Sequence, residues 1–115
     1  MLSIAAELQL TDVDADRQLL DWSGTSLLIF TSIGCASCRW ARREFPSFAL
    51  PVERLCWVDA DDNGGLVQRY AVRQLPAIFV LADGQYLGQI QASLNAPQLL
   101  GDLRQALTRA PEELA

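Results

Sequence analysis

The sequence SLLIFTSIGCASCRWARR, residues 26–43, joins an apolar run to a helical pattern through a polar turn that holds two cysteines. Cys35 lies where the helix begins, and Cys38 follows inside its first turn. The unpaired N–H groups and partial positive charge of a helix N-terminus stabilise a thiolate, which is the reactive form of cysteine. The spacing also brings the two sulfur atoms close enough to form a disulfide. We therefore predict a strand, a reactive cysteine, and then a helix that carries a second, resolving cysteine.

Length and composition limit the classes of protein to consider. The chain has 115 residues, which indicates a single domain over residues 1–115, and 50% of them are apolar, enough for a core. Its net charge of -5 argues against a partner made of nucleic acid, because phosphate contacts need a basic face. Histidine is absent, which excludes serine–histidine and cysteine–histidine hydrolases and most catalytic zinc sites.

The ends and apolar runs of the sequence bear on where the protein is located. The segment Met1–Leu8 has no basic residue before its apolar residues, unlike a signal peptide. No apolar run approaches the roughly 20 residues of a membrane span. We therefore expect a cytoplasmic monomer that does not bind membranes. In that compartment a Cys-x-x-Cys pair is more often catalytic or metal-binding than structural.

Strand and helix patterns alternate along the chain. Strands are predicted over Glu7–Leu10, Ser26–Thr31, Leu55–Asp59, Ala77–Leu81 and Tyr86–Gln91, and helices from Thr11 or Asp12 to Asp21, from Cys35 to a break at Pro46, over Leu66–Tyr70, and after Asn95. Thr11 or Asp12 is expected to cap the first helix and Asn95 the last, while residues 111–115 are expected to fray. The order predicts an α/β fold with a central mixed, mostly parallel sheet, helices on both faces, and a hairpin that adds an antiparallel edge.

Three segments together resemble the thioredoxin family: GCASC at residues 34–38 after an apolar strand, VDADDN at 58–63, and YAVRQLPAIFVLADG at 70–84. The resemblance covers nearly the whole chain and implies the thioredoxin fold. It also implies a thiol:disulfide oxidoreductase in which Cys35 attacks a disulfide of a protein substrate and Cys38 resolves the mixed disulfide. Such a protein needs no bound cofactor. A flavin-dependent reductase that uses NADPH, or a glutathione system, would return the pair to the dithiol.

The resemblance implies a docking surface as well. The Leu75–Pro76 peptide bond is expected to be cis and to lie beside the two cysteines. The backbone just before it is expected to pair with an extended segment of the substrate. The other expected substrate-binding residues are Gly34, Ala36, Ser37, Arg73 and Ala92.

Two departures from the family pattern bear on the chemistry. Residues 34–38 replace the typical Trp-Cys-Gly-Pro-Cys, and the dipeptide between the cysteines tunes the reduction potential. Ile29 stands where family members bury an acid below the active site. Because that acid is thought to help deprotonate the resolving thiol, we expect the attack of Cys38 on the mixed disulfide to be slower than in ordinary thioredoxins.

Two alternative functions remain. One is a non-enzymatic chaperone or assembly module that keeps the thioredoxin fold with incidental cysteines. The other is a metal or iron–sulfur site, but three cysteines and no histidine leave such a site short of ligands, so we expect no metal. Cys56 lies in the middle of a strand pattern and is expected to behave as a small buried apolar residue.

Overall fold

The computed structural model describes residues 5–113. The strands are β1 (Ala6–Leu10), β2 (Thr25–Thr31), β3 (Arg54–Asp59), β4 (Ala77–Ala82) and β5 (Gln85–Ile90). The helices are α1 (Ala15–Asp21), α2 (Ala36–Glu44), α3 (Gly64–Arg69) and α4 (Ala96–Ala106), with a short 3₁₀ helix at Phe45–Phe48 directly after α2. This is the predicted order of elements. Residues 1–4, part of the segment interpreted as unlike a signal peptide, and residues 114–115 of the tail lie outside the described residues.

The five strands form one sheet in the order β1-β3-β2-β4-β5. β1, β3 and β2 pair in parallel, whereas β4 is antiparallel to both β2 and β5. The predicted mixed α/β sheet is confirmed, but β4 lies inside the sheet and runs opposite to the other strands, so the antiparallel part is more than an edge. The length of α3 is consistent with this direction. If β4 were parallel to β3, the chain would have to return along the full length of the sheet, roughly 20 Å for a six-residue strand, before β4 began. The six residues of α3 span only about 9 Å, so α3 alone does not make that return.

β2 lies at the centre of the sheet and is buried on both faces. Leu27 and Ile29 belong to one apolar cluster, which includes residues of α2 and α4. Leu28 and Phe30 belong to the other, which includes residues of α1 and α3. The alternation follows from the period of two along a strand, and it places helices on both faces of the sheet.

The helices are short. α2 gives way to the 3₁₀ helix at Phe45 because Pro46 lacks the N–H that would continue the α-helical pattern. The ring of Phe45 then stacks on Trp57 of β3, which fixes this end of α2 against the sheet. Within residues 5–113 no helix is long and apolar enough to cross a membrane.

The acid that we predicted to cap the first helix caps another one. α1 begins at Ala15 without a side-chain cap, so the prediction that Thr11 or Asp12 caps it is wrong. The Asp12 carboxylate instead accepts hydrogen bonds from the N–H groups of Gly65 (3.1 Å) and Leu66 (2.7 Å) in the first turn of α3. A cap supplied from another part of the chain leaves no local pattern in the sequence around α3.

At the other end of the chain, Asn95 caps α4 as predicted, and the residues after α4 cover the outer edge of β5. The guanidinium of Arg109 donates to the carbonyl oxygens of Gln89 (2.9 Å) and Leu87 (3.4 Å). The N–H of Glu112 donates to the carbonyl oxygen of Tyr86 (2.7 Å). The described part of the tail, residues 111–113, is therefore held against β5, in contrast to the prediction that the tail frays.

Candidate active site

Cys35 is the N-cap residue of α2. Its backbone is extended, and its Sγ accepts a hydrogen bond from the N–H of Cys38 at 3.2 Å. Serine, threonine or aspartate oxygens normally fill this role, and here a sulfur atom does. The two cysteines form a disulfide, with their Cα atoms 5.2 Å apart. The predicted strand, cysteine and helix are therefore present in this order, with the two sulfur atoms bonded to each other.

The two cysteines differ in their access to solvent. Cys35 is partly exposed, whereas Cys38 is only 1% exposed. Cys35 is therefore the more accessible of the two residues. A negative charge on Cys35 Sγ would face the N–H of Cys38 and the positive end of α2, and both stabilise a thiolate. Ser37 Oγ lies 3.4 Å from the same sulfur and can donate a further hydrogen bond to it.

A groove begins beside Cys35. The Sγ of Cys35 lies 3.7 Å from the carbonyl oxygen of Leu75, and the Leu75–Pro76 peptide bond is cis. The groove is lined by Ser37, Gln74, Leu75, Pro76, Gln89, Ile90, Gln91, Ala92 and Leu94. It thus brings together four of the expected substrate-binding residues: Ser37, Leu75, Pro76 and Ala92.

The other expected substrate-binding residues lie outside the lining of this groove. Gly34 and Ala36 are exposed on either side of Cys35, at the start of α2. Arg73 is exposed two residues before Leu75. All three are near the groove in sequence, but the structure does not place them in its wall.

Sequence reasoning missed most of the far wall of the groove, which includes Gln89, Ile90, Gln91 and Leu94. The signal was present in the hairpin. β4 and β5 are antiparallel with Ile78 opposite Ile90, so the residues that follow Ile90 lie near those that precede Ile78, including Pro76. Extending the hairpin register past its ends would have identified this wall.

A second cavity, of about 310 Å³, adjoins Cys38. It is lined by Gln9, Thr31, Ser32, Ile33, Cys38, Arg39, Arg42 and Asp59, from the carboxyl ends of β1, β2 and β3 and from α2. Two arginines are held in its wall. The guanidinium of Arg39 donates to the carbonyl oxygen of Ile33 at 2.6 Å, and that of Arg42 donates to Gln9 Oε1 at 2.7 Å.

The sheet below α2 is apolar at this point. Ile29 is completely buried and lies opposite Trp57, which is 1% exposed. The indole N–H of Trp57 donates to Glu7 Oε1 at 3.1 Å, and the Arg42 guanidinium lies 5.0 Å from the centre of the indole ring. Neither Ile29 nor Trp57 can accept a proton from a thiol.

Cys56 is separate from the disulfide pair. It is completely buried in the cluster with Leu28 and Phe30, on the face of the sheet opposite to Ile29. Burial raises the pKa of the Cys56 thiol to about 11, although Arg54 and Ser26 act in the opposite direction. Among residues 5–113, no group of three or more cysteine, aspartate and glutamate side chains is arranged to hold a metal ion.

Comparisons with known proteins agree with this geometry. The sequence profile of the thioredoxin family matches residues 6–105. No curated protein sequence matches the chain. Among solved structures, the fold is similar to that of thioredoxin from Trypanosoma brucei brucei, with 23% identity and a TM-score of 0.72 over 91% of this chain and 94% of the other. It is also similar to a mutant thioredoxin from Halobacterium salinarum, with 20% identity and a TM-score of 0.73 over 96% and 99% of the two chains.

Proposed function

Because this chain belongs to the thioredoxin family, we propose that it exchanges disulfides with protein substrates through Cys35 and Cys38, as a protein-disulfide reductase. At the general level the family match and the cysteine pair support a thiol:disulfide oxidoreductase. The observation that carries the finer proposal is the position of Cys35. Its sulfur caps α2, is partly exposed, and lies at the head of the groove formed by Leu75 and Pro76.

The reaction has two exchange steps. The Cys35 thiolate attacks one sulfur of a substrate disulfide, which forms a mixed disulfide and releases the other substrate sulfur as a thiolate. Cys38, after losing its proton, then attacks Cys35 Sγ. The bond between Cys35 and the substrate breaks, the Cys35–Cys38 disulfide forms, and the second substrate thiolate leaves and takes up a proton. The substrate gains two electrons, and the cysteine pair loses two.

The groove suits an extended substrate segment. Its walls combine apolar side chains such as Pro76 and Ala92 with the amides of Gln74, Gln89 and Gln91, and none of the described residues that line it is charged. We propose that the substrate backbone pairs with the chain just before Pro76, as in strand addition. Gly34, Ala36 and Arg73 are proposed to contact the substrate outside the groove.

A second system must restore the dithiol after each turnover. We propose that a flavin-dependent reductase using NADPH, or glutathione, supplies the two electrons, so that this chain needs no bound cofactor. We further propose that the protein works as a monomer in the cytoplasm, where such reductants are available.

Reduction of insulin by dithiothreitol tests the proposal. The wild type is expected to accelerate the reaction, and Cys35→Ser is expected to abolish the acceleration because it removes the attacking sulfur. Cys56→Ala is the matched control: it also removes one thiol, but from the opposite face of the sheet, and is expected to keep the activity.

If the wild type gives no acceleration although Cys35 and Cys38 are reduced, the reductase assignment is wrong. The non-enzymatic module would then be the better description of the chain. Stoichiometric metal or visible colour in the purified protein would instead support the metal-binding alternative.

A further inference from the structure

The resolving step poses a problem that the groove does not solve. This inference rests on the proposed exchange reaction, in which Cys38 must lose a proton before it attacks Cys35. Cys38 is 1% exposed, and burial disfavours the charged thiolate. Ile29 and Trp57, in the sheet below, offer no proton acceptor. Cys38 also lines the cavity at the carboxyl ends of β1, β2 and β3, which offers its proton a second route.

The cavity beside Cys38 supplies that route. Its volume of about 310 Å³ is far more than the ~15 Å³ that one water needs by the same measure. Polar side chains in its wall, those of Gln9, Thr31 and Ser32, can hold such waters by hydrogen bonds. A chain of water molecules can therefore connect the Cys38 thiol with other groups in the wall.

Among the described residues of this wall, Asp59 carries the one carboxylate. The guanidinium groups of Arg39 and Arg42 have no acceptor, and the amide and hydroxyl side chains are not bases. Asp59 is the remaining ionisable group. One of its carboxylate oxygens, Oδ1, accepts a hydrogen bond from the N–H of Asp61 at 3.0 Å, and within residues 5–113 the other has no protein donor.

The fold fixes Asp59 in this position. It is the last residue of β3, directly opposite Thr31 at the end of β2, and both strands end at the cavity that α2 lines with Cys38. We propose that Asp59 is the proton acceptor for Cys38, acting through water in this cavity. Arg39 and Arg42 line the same space, and their positive charge favours the thiolate form of Cys38 without accepting its proton.

The Cys38 thiol gives its proton through water to the Asp59 carboxylate, and the resulting thiolate attacks Cys35 Sγ in the mixed disulfide. The Cys35–Cys38 bond forms, the bond from Cys35 to the substrate breaks, and the substrate leaves as a thiolate. Asp59 later returns its proton to solvent.

Dithionitrobenzoate, an aromatic disulfide that releases a coloured thiolate, separates the two steps. Attack by Cys35 releases the first coloured thiolate in a phase that depends on reagent concentration. Attack by Cys38 releases the second coloured thiolate in a phase whose rate is independent of reagent concentration. Cys38→Ser identifies the first phase, since it cannot give the second.

We expect Asp59→Asn to slow the second phase by about 100-fold near pH 7 and to leave the first phase within about twofold of wild type. The difference should narrow as the pH is raised, because hydroxide and buffer bases then take the proton. Asparagine keeps an oxygen that can accept from Asp61 N–H, so the turn is preserved. Asp59→Glu keeps the carboxylate and is expected to restore most of the rate.

Asp61→Asn is the matched control, because it removes the same charge from an exposed neighbour that does not line the cavity. The proposal is wrong if Asp59→Asn leaves the second phase unchanged, if Asp61→Asn slows it equally, or if Asp59→Glu is as slow as Asp59→Asn. Absence of a second phase in the wild type is a different result, which would overturn the proposed exchange reaction itself.

Discussion

Asp12 stabilises α3 from another part of the chain. One carboxylate accepts hydrogen bonds from two N–H groups, those of Gly65 at 3.1 Å and Leu66 at 2.7 Å. These donors lie in the first turn of a helix of only six residues, which has no side-chain cap of its own. Without Asp12, both donors would turn to water, and the link from the end of β1 to α3 would be weakened.

The magnitude follows from the usual cost of losing a helix cap. Removing such a side chain costs ~1 kcal/mol on average and about 2 kcal/mol at the upper end. We expect Asp12→Ala to reach about 2 kcal/mol, because the carboxylate serves two donors and its charge favours the helix N-terminus. At about 4 °C per kcal/mol for a domain of this size, Tm should fall by about 8 °C. Asp12→Asn keeps one acceptor oxygen and is expected to cost about 1 kcal/mol.

Urea denaturation followed by tryptophan fluorescence measures these changes, and a thermal scan by circular dichroism checks them. Asp61→Ala is the control, since it removes the same charge from an exposed carboxylate that accepts no hydrogen bond from the described residues. If Asp12→Ala and Asp61→Ala lower the free energy of unfolding equally, the effect is one of net charge and the capping argument is refuted.

Three further predictions concern single side chains. Burial raises the pKa of Cys56 from 9.0 to about 11, so above about pH 9 the unfolded chain releases a proton that the native state keeps, and the free energy of unfolding falls as the pH rises. The urea midpoint should therefore fall more steeply for wild type than for Cys56→Ala between pH 9 and 11. Parallel curves for the two proteins would contradict this. Ser37→Ala removes the hydroxyl that lies 3.4 Å from Cys35 Sγ. Alkylation of the reduced protein at Cys35 by iodoacetamide should therefore slow by about two- to tenfold. An unchanged rate would show that the hydroxyl does not stabilise the thiolate. Leu94→Ala removes an apolar side chain from the groove and should raise KM for a protein disulfide about fivefold, the equivalent of about 1 kcal/mol. The rate of the first phase with dithionitrobenzoate should stay unchanged. An equal effect on KM and on that rate would show that Leu94 acts in the chemical step and not in substrate docking.

The order of strands and helices could be predicted because it is written in local patterns. β2 is a continuous apolar run because the strand is buried on both faces, and Asn95 marks the start of α4 because its side chain caps the adjacent turn. The cysteine pair could be predicted in the same way, since the two residues lie within one helical turn. These features depend on neighbours in sequence, and sequence patterns report such neighbours directly.

The rest depends on contacts between distant parts of the chain. The direction of β4 is a property of its pairing with β2, and no periodicity within β4 encodes it. Asp12 caps α3 by accepting from Leu66, which lies 54 residues further along the chain than Asp12, and so it was assigned to the nearer helix. The cavity lined by Cys38 and Asp59 forms where three parallel strands end together beside α2. The sequence predicted Asp59 only as the last residue of a strand, because local patterns do not place it beside Cys38.

The arginine that follows α4 has a consequence for self-association. An outermost strand with free carbonyl oxygens is a template on which another chain can grow, and this is how fibrils elongate. The guanidinium of Arg109 donates to the carbonyl oxygens of Leu87 and Gln89. A strand from a second molecule would have to displace this charged group before it could pair with β5. One side chain thus helps to keep the protein from polymerising along that border.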